Sequence, residues 1–191
     1  MRIIAGQWKG RRLATPTWSG LRPTSDKLRE TLFNIVAPRI AGAHVLDACA
    51  GTGALGIEAL SRGAASVTFI ESDPRAAALI RENLRRCAVS DRYAIIPGDI
   101  ERARPWRTFD LILLDPPYEL PHLDRVYARV AEWLAPGGLL MVEHARRTVP
   151  PPAIGALTRV RDVRSGDSGL ALFERRPGPT EPDGNEEGDA A

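Results

Sequence analysis

The sequence predicts an α/β fold: a mostly parallel, doubly wound sheet of seven strands with an antiparallel hairpin at one edge. Three observations predict it. From His44 onward, short apolar runs alternate with amphipathic stretches, the pattern of repeated βα units. A glycine-rich turn, "DACAGTGALG", joins the first of these runs to a helix. Near the end, two apolar runs follow each other around Gly166 with no helix between them, as an edge hairpin requires.

The elements follow in order. "RIIAG" and "GRRLATP" are β-like runs bracketed by Gly6 and Gly10, which predicts an N-terminal β-hairpin within residues 1–22. In "RPTSDKLRETLFNIVAP", Leu28, Leu32, Ile35 and Val36 form one apolar stripe at helical spacing. Thr24 or Ser25 can cap that helix, and Pro38 stops it. "HVLDAC" is the first strand, "GALGIEALSRG" a helix ending at Gly63, and "SVTFIE" the second strand. Asp73 caps a helix with Pro74 at its first position. "YAIIP" and "FDLILLD" are the third and fourth strands, "LDRVYARVAEWL" is a helix broken by "PGG", and "LLMVEH" is the fifth strand. "ALTRVRDVRSGDSGLALFERR" supplies the last two strands.

The 191 residues fit a single domain, residues 23–176, carrying the hairpin as an extension. The acidic, Pro- and Gly-rich tail 177–191 cannot build a core and is expected to be disordered. No apolar run approaches the roughly 20 residues of a membrane span, and the N-terminus lacks the apolar core of a signal peptide. A cytoplasmic chain is therefore expected. Cys49 and Cys87 read as buried, reduced thiols. His44, His122 and His144 have no metal-site spacing, so no metal is expected. His122 follows Asp115 closely enough to lie near a site there, though a surface or structural role is the plainer reading.

Charge is unevenly spread. The tail holds five acids and no base, leaving 26 bases against 19 acids elsewhere, a net +7. The first 22 residues contain Arg2, Lys9, Arg11, Arg12 and Arg22 and no acid. Such a segment suits a polyanion, nucleic acid being the obvious class.

Gly51, Gly53 and Gly56 form GxGxxG between a strand and a helix, which brings backbone close to a ligand. Glu71, at the end of the second strand, can accept from ribose hydroxyls, a feature shared with NAD sites. Asp47, just before the glycines, suits an ammonium group and would repel a pyrophosphate. Asp99 after the third strand can accept from an adenine amino group, with Ile100 against the ring. These features favour S-adenosylmethionine (SAM) over NAD. The fourth strand ends in "DPPY". A carboxylate (Asp115), a fixed carbonyl (Pro116), a second proline (Pro117) and a stacking ring (Tyr118) can hold an exocyclic amine of a base in line with a methyl donor. That chemistry serves guanine N2 and adenine N6 equally.

"MRIIAGQWKGRRLATP", "LRPTSDKLRETLFNIV" and "ALGIEALSRGAASVTFIESD", with "DPPY", resemble the bacterial small-subunit rRNA guanine-N2 methyltransferase (RsmD-like) family over roughly residues 1–175. The resemblance implies a Rossmann-like SAM-dependent methyltransferase fold. It implies a substrate, 16S rRNA within the small subunit or an assembly intermediate, acted on by a monomer away from any membrane. It places SAM on Asp47, Ala50, Gly51, Gly53, Glu71, Ser72, Asp99 and Ile100, and the guanine on Asp115, Pro116, Pro117 and Tyr118. It places RNA on the basic hairpin, with Arg22, Thr24 and Arg29 of the "RPTSDKLRE" run bordering the site. "SGDSGLALFERR" matches the family only loosely. The competing expectations are a DNA adenine-N6 methyltransferase, a NAD-dependent oxidoreductase and a non-catalytic RNA-binding assembly factor.

Overall fold

The computed structural model describes residues 1–18, 25–117 and 120–175. The expectations for Arg22, Thr24, Tyr118 and the tail 177–191 lie outside the described residues. The helices are α1 (Asp26–Val36), α2 (Ala54–Ser61), α3 (Pro74–Arg86) and α4 (Leu123–Glu132). The strands are β1 (His44–Ala48), β2 (Ser66–Glu71), β3 (Tyr93–Pro97), β4 (Phe109–Leu114), β5 (Leu134–Ala145), β6 (Ala153–Ile154), β7 (Leu157–Ser165) and β8 (Ser168–Arg175).

The sheet order is β3-β2-β1-β4-β5-β8-β7-β6. β1 to β5 run parallel, and β8, β7 and β6 add antiparallel pairings at the far side. The chain winds outward from β1 through β2 to β3, then returns to β4 on the other flank. The winding therefore reverses between β1 and β4, where a ligand crevice opens beyond the carboxyl ends of the strands.

Alternation along the strands builds two cores. Val45, Val67, Phe69, Leu111, Leu113 and Met141 face the side of α1, α2 and α3. Leu46, Ile70, Ile112, Leu114, Leu140 and Val142 face α4 with its Val126, Tyr127 and Val130. Caps fall where the residue types dictate: Ser25 accepts from Leu28 N (3.2 Å), and Asp73 accepts from Arg75 N (2.8 Å) ahead of Pro74. No helix among the described residues is long and apolar enough to cross a membrane.

The structure corrects three expectations. The described sheet has eight strands rather than seven, because the two-residue β6 pairs with β7 at the edge. "PGG" does not stop the run before β5. Pairing continues on both sides of it, from Phe109↔Leu134 to Leu111↔Leu139, and the extra residues are absorbed as a bulge with Gly137 at φ 73°. The N-terminal hairpin narrows to a single antiparallel bridge, Arg2↔Arg12, supported by Ile3 N donating to Arg11 O and Gly10 N to Ile3 O (each 2.9 Å).

That bridge does not stand off the domain. Ile3, Trp8 and Leu13 belong to the α1–α3 core. Glu58 on α2, fully buried, accepts from Ile4 N (2.7 Å), Ala5 N (2.9 Å) and Arg62 Nε (2.7 Å). Ser61 accepts through its carbonyl from Gln7 N (2.7 Å) and through its hydroxyl from Trp8 N (3.0 Å). Removing the Glu58 carboxylate strands two backbone donors and a guanidinium. We predict that E58A lowers stability by about 3 kcal/mol and frees the backbone after the already exposed Lys9, Arg11 and Arg12 for tryptic cleavage in the native state. Denaturant melts and limited proteolysis read both effects. A tryptic pattern unchanged from the wild type would show the segment held by its apolar contacts instead.

Candidate active site

After β1 the chain turns tightly. Cys49 lies at φ 61°, Gly51 at 54° and Gly53 at 74°. Gly53 caps α2 in the left-handed region, where a side chain strains the backbone. Gly56 is required by close approach: a Cβ there would sit 2.4 Å from Phe69 Cε1 and 2.7 Å from Val67 Cγ1. Two carboxylates hold the turn. Glu71 accepts from Gly51 N (2.7 Å) and, through its other oxygen, from Asp73 N (2.8 Å). Asp47 accepts from Gly56 N (2.8 Å).

Above the carboxyl ends of β1, β2, β4 and β5 lies a cavity of about 720 Å³. The structure brings the expected residues together here. Asp47, Ala50, Gly51, Glu71 and Ser72 line it from one side, and Asp99 and Ile100 from the β3 end. Asp115, Pro116 and Pro117 line it at the end of β4. Gly53 does not line it, so its part is to shape the turn. Asp99 also serves its own loop by accepting from Glu101 N (2.8 Å). Cys49 is half-buried against the cavity, not fully buried as expected, whereas Cys87 is buried. His122 begins α4 at φ 57°, exposed and away from the cavity lining.

The cavity is electrically negative. Burial pushes the Asp47 carboxyl well above the usual carboxylate range; the Gly56 bond opposes this, and Asp115 and Glu71 add to it. Cys49 registers the same field: its thiol is pushed up by burial and then by Glu71, Asp115, Asp47 and Asp99. A cationic ligand would relieve this repulsion, and a pyrophosphate would increase it.

Lys27 apart, the described basic residues do not line this site. Arg2, Lys9, Arg11 and Arg12 are exposed on the N-terminal segment, and Arg11 donates to the carbonyl of Arg86 at the end of α3. Arg29 corrects its expectation. It is fully buried, donating to Arg2 O (2.9 Å) and Asp26 Oδ1 (2.7 Å), so it fastens α1 to the N-terminal segment rather than presenting charge to a polyanion. Sequence reasoning missed Glu143 on β5, Lys27 on α1 and the β7–β8 turn at Asp167, all of which line the cavity. Glu143 carried one signal, a charged residue inside an otherwise apolar strand run.

A reversed-winding parallel sheet with a carboxylate-held glycine turn beneath a DPP-ended strand defines the Rossmann-like methyltransferase class. The chain belongs to the family described as "Conserved hypothetical protein 95", whose model matches residues 1–174. It is similar to "Ribosomal RNA small subunit methyltransferase D" of Escherichia coli K12, 35% identical over 92% of this chain and 90% of that protein. The Haemophilus influenzae protein of the same name is 39% identical over 75% of this chain and 78% of its own length. The solved structure of yhhF from Escherichia coli superposes with a TM-score of 0.81 at 35% identity, covering 92% of this chain and 97% of that one.

The Asp47 environment yields a prediction. In the unfolded chain Asp47 ionises in the ordinary range, but the fold holds its proton to higher pH. Its burial therefore costs stability progressively as pH rises above that ordinary range. Asn at this position keeps an acceptor for Gly56 N and carries no charge. D47N is expected to raise the Tm of the ligand-free protein, by more at pH 8 than at pH 5, while weakening a cationic ligand by about tenfold or more. Scanning calorimetry at the two pH values checks the first effect, and titration with the ligand the second.

Proposed function

We propose that this chain transfers a methyl group from SAM to the exocyclic N2 of a guanine in small-subunit rRNA, acting as a cytoplasmic monomer on the subunit or an assembly intermediate. The observation that carries this reading is the shared cavity: the DPP run of β4 and the carboxylate-held glycine turn of β1 line the same space. The relatives named for small-subunit rRNA methylation support the RNA substrate.

The residues fit the cofactor. The negative cavity suits a cationic molecule, and Glu71, fixed by two backbone donors, still has acceptor capacity toward ribose hydroxyls. Asp99 and Ile100, which line the cavity, are assigned to the adenine amino group and ring. When bound, SAM supplies an electrophilic methyl carbon on a sulfonium sulfur.

The chain's own residues then hold the amine. The Asp115 carboxylate and the Pro116 carbonyl accept from the base NH2 and turn its lone pair toward the methyl carbon. Pro116 and Pro117 lack N–H groups that would compete and fix the backbone on which those acceptors ride. Tyr118, outside the described residues, is assigned to stack on the base. On methylation N2 would shed a proton, and Asp115 would be the base placed to take it. Positioning and charge supply most of the acceleration.

Labelled SAM offered with undermethylated small subunits, naked rRNA or DNA tests the assignment, followed by mapping of the methylated nucleotide. Label confined to DNA adenine would overturn it, and stabilisation by NAD but not SAM would overturn the cofactor. D115A is expected to lose transfer by about 10²–10³-fold while SAM affinity stays within about threefold. Neutralising Arg11 and Arg12 together is expected to weaken RNA binding and flatten its dependence on log salt by about 1–2. A slope equal to the wild type's would remove the N-terminal segment from the RNA interface.

A further inference from the structure

The chemistry of the DPP run does not distinguish guanine N2 from adenine N6. A neighbour of Asp115 does. In the β4–β5 ladder Leu114 pairs with Val142, so Asp115 and Glu143 come next on adjacent parallel strands, about 4.8 Å apart in the ladder direction. Both line the cavity. Glu143 is 5% exposed and alternates with Leu139 and Met141, on the sheet face that also carries Asp47's neighbour Val45.

We propose that Glu143 is the residue that selects guanine, accepting the N1–H of the target base while Asp115 accepts from its N2 amine; this rests on the guanine-N2 reading above. Guanine presents two adjacent donors on its Watson–Crick edge, N1–H and N2–H. Two neighbouring carboxylates match that pair. Adenine presents one donor, N6–H, beside an unprotonated N1 whose lone pair would face the second carboxylate. The mismatch leaves Glu143 repelled and without the base's donor, and sites built to hydrogen-bond a substrate N–H reject the analogue lacking it most strongly. A carboxylate can accept from several donors at once, so contacts within the protein do not bar the base.

The test compares guanine with 2-aminopurine at the mapped target position in otherwise identical RNA. 2-Aminopurine keeps the amine on C2 but has no N1 proton. Single-turnover transfer is measured for wild type and E143Q with each base, giving a protein-by-base cycle in which the intrinsic reactivity of the two amines cancels. Wild type is expected to favour guanine by about 10–10² or more. E143Q is expected to compress that ratio to within about threefold or invert it, because the glutamine amide can donate to the unprotonated N1. SAM affinity and Tm are expected to hold. A merely structural Glu143 would slow both bases alike, so an E143Q ratio equal to the wild type's overturns the proposal, whatever the absolute rates. So does a wild type that methylates 2-aminopurine as well as guanine. If E143Q fails to fold, E143D, which retracts the carboxylate by one methylene, must lower the same ratio. A wild type that methylates no guanine in RNA overturns the functional reading itself, a result distinct from a guanine enzyme whose ratio ignores residue 143.

Discussion

Two hydrogen bonds from backbone to carboxylate hold the active face together: Gly51 N to Glu71 and Gly56 N to Asp47. They bend the chain between β1 and α2 so tightly that two glycines and Cys49 take left-handed backbone. They also fix acidic side chains at the ends of β1 and β2, close to Asp115 at the end of β4. The turn's backbone donors need the acceptors that Glu71 and Asp47 supply, and those donors offset part of the cost of gathering acids here. The Asp47 carboxyl, raised by burial yet stabilised by Gly56, shows the two demands in balance.

The same helix carries the second consequence. α2 opens at the glycine turn and, two residues beyond Gly56, bears Glu58, which grips Ile4 and Ala5. Asn83 on α3 completes the link. It is fully buried, its oxygen accepting from Ala14 N (2.7 Å) and its amide donating to Thr52 O (3.0 Å) in the turn itself. The N-terminal segment and the glycine turn are therefore parts of one hydrogen-bonded unit.

The sequence made local features legible and long-range ones not. Caps and breakers act within a few residues, so Ser25, Asp73-Pro74 and Gly63 read correctly, as did the strand Ser66–Glu71. The site residues that follow strand ends were also legible, because a parallel sheet carries all such ends to one face. What failed depended on pairing across the chain. β6 is too short to show a period and exists only against β7. Arg29 reads as a surface arginine until the N-terminal segment folds over it. Glu143 sits beside Asp115 only because β5 pairs with β4 in one register rather than another.

The charge pattern separates two environments on one small domain. Four bases are exposed on the N-terminal segment, while carboxylates outnumber the single lysine, Lys27, in the described cavity lining. On the proposed function, an RNA backbone would be drawn to the N-terminal segment and disfavoured in the acidic cavity, which would favour entry of a part of the nucleotide without negative charge. A base swung out of its stack meets that condition, and the donors on its edge are what a carboxylate-lined pocket can reward. On the proposed function, the acidic cavity would do two tasks with the same side chains: hold a cationic donor, and admit the base while keeping its phosphates outside.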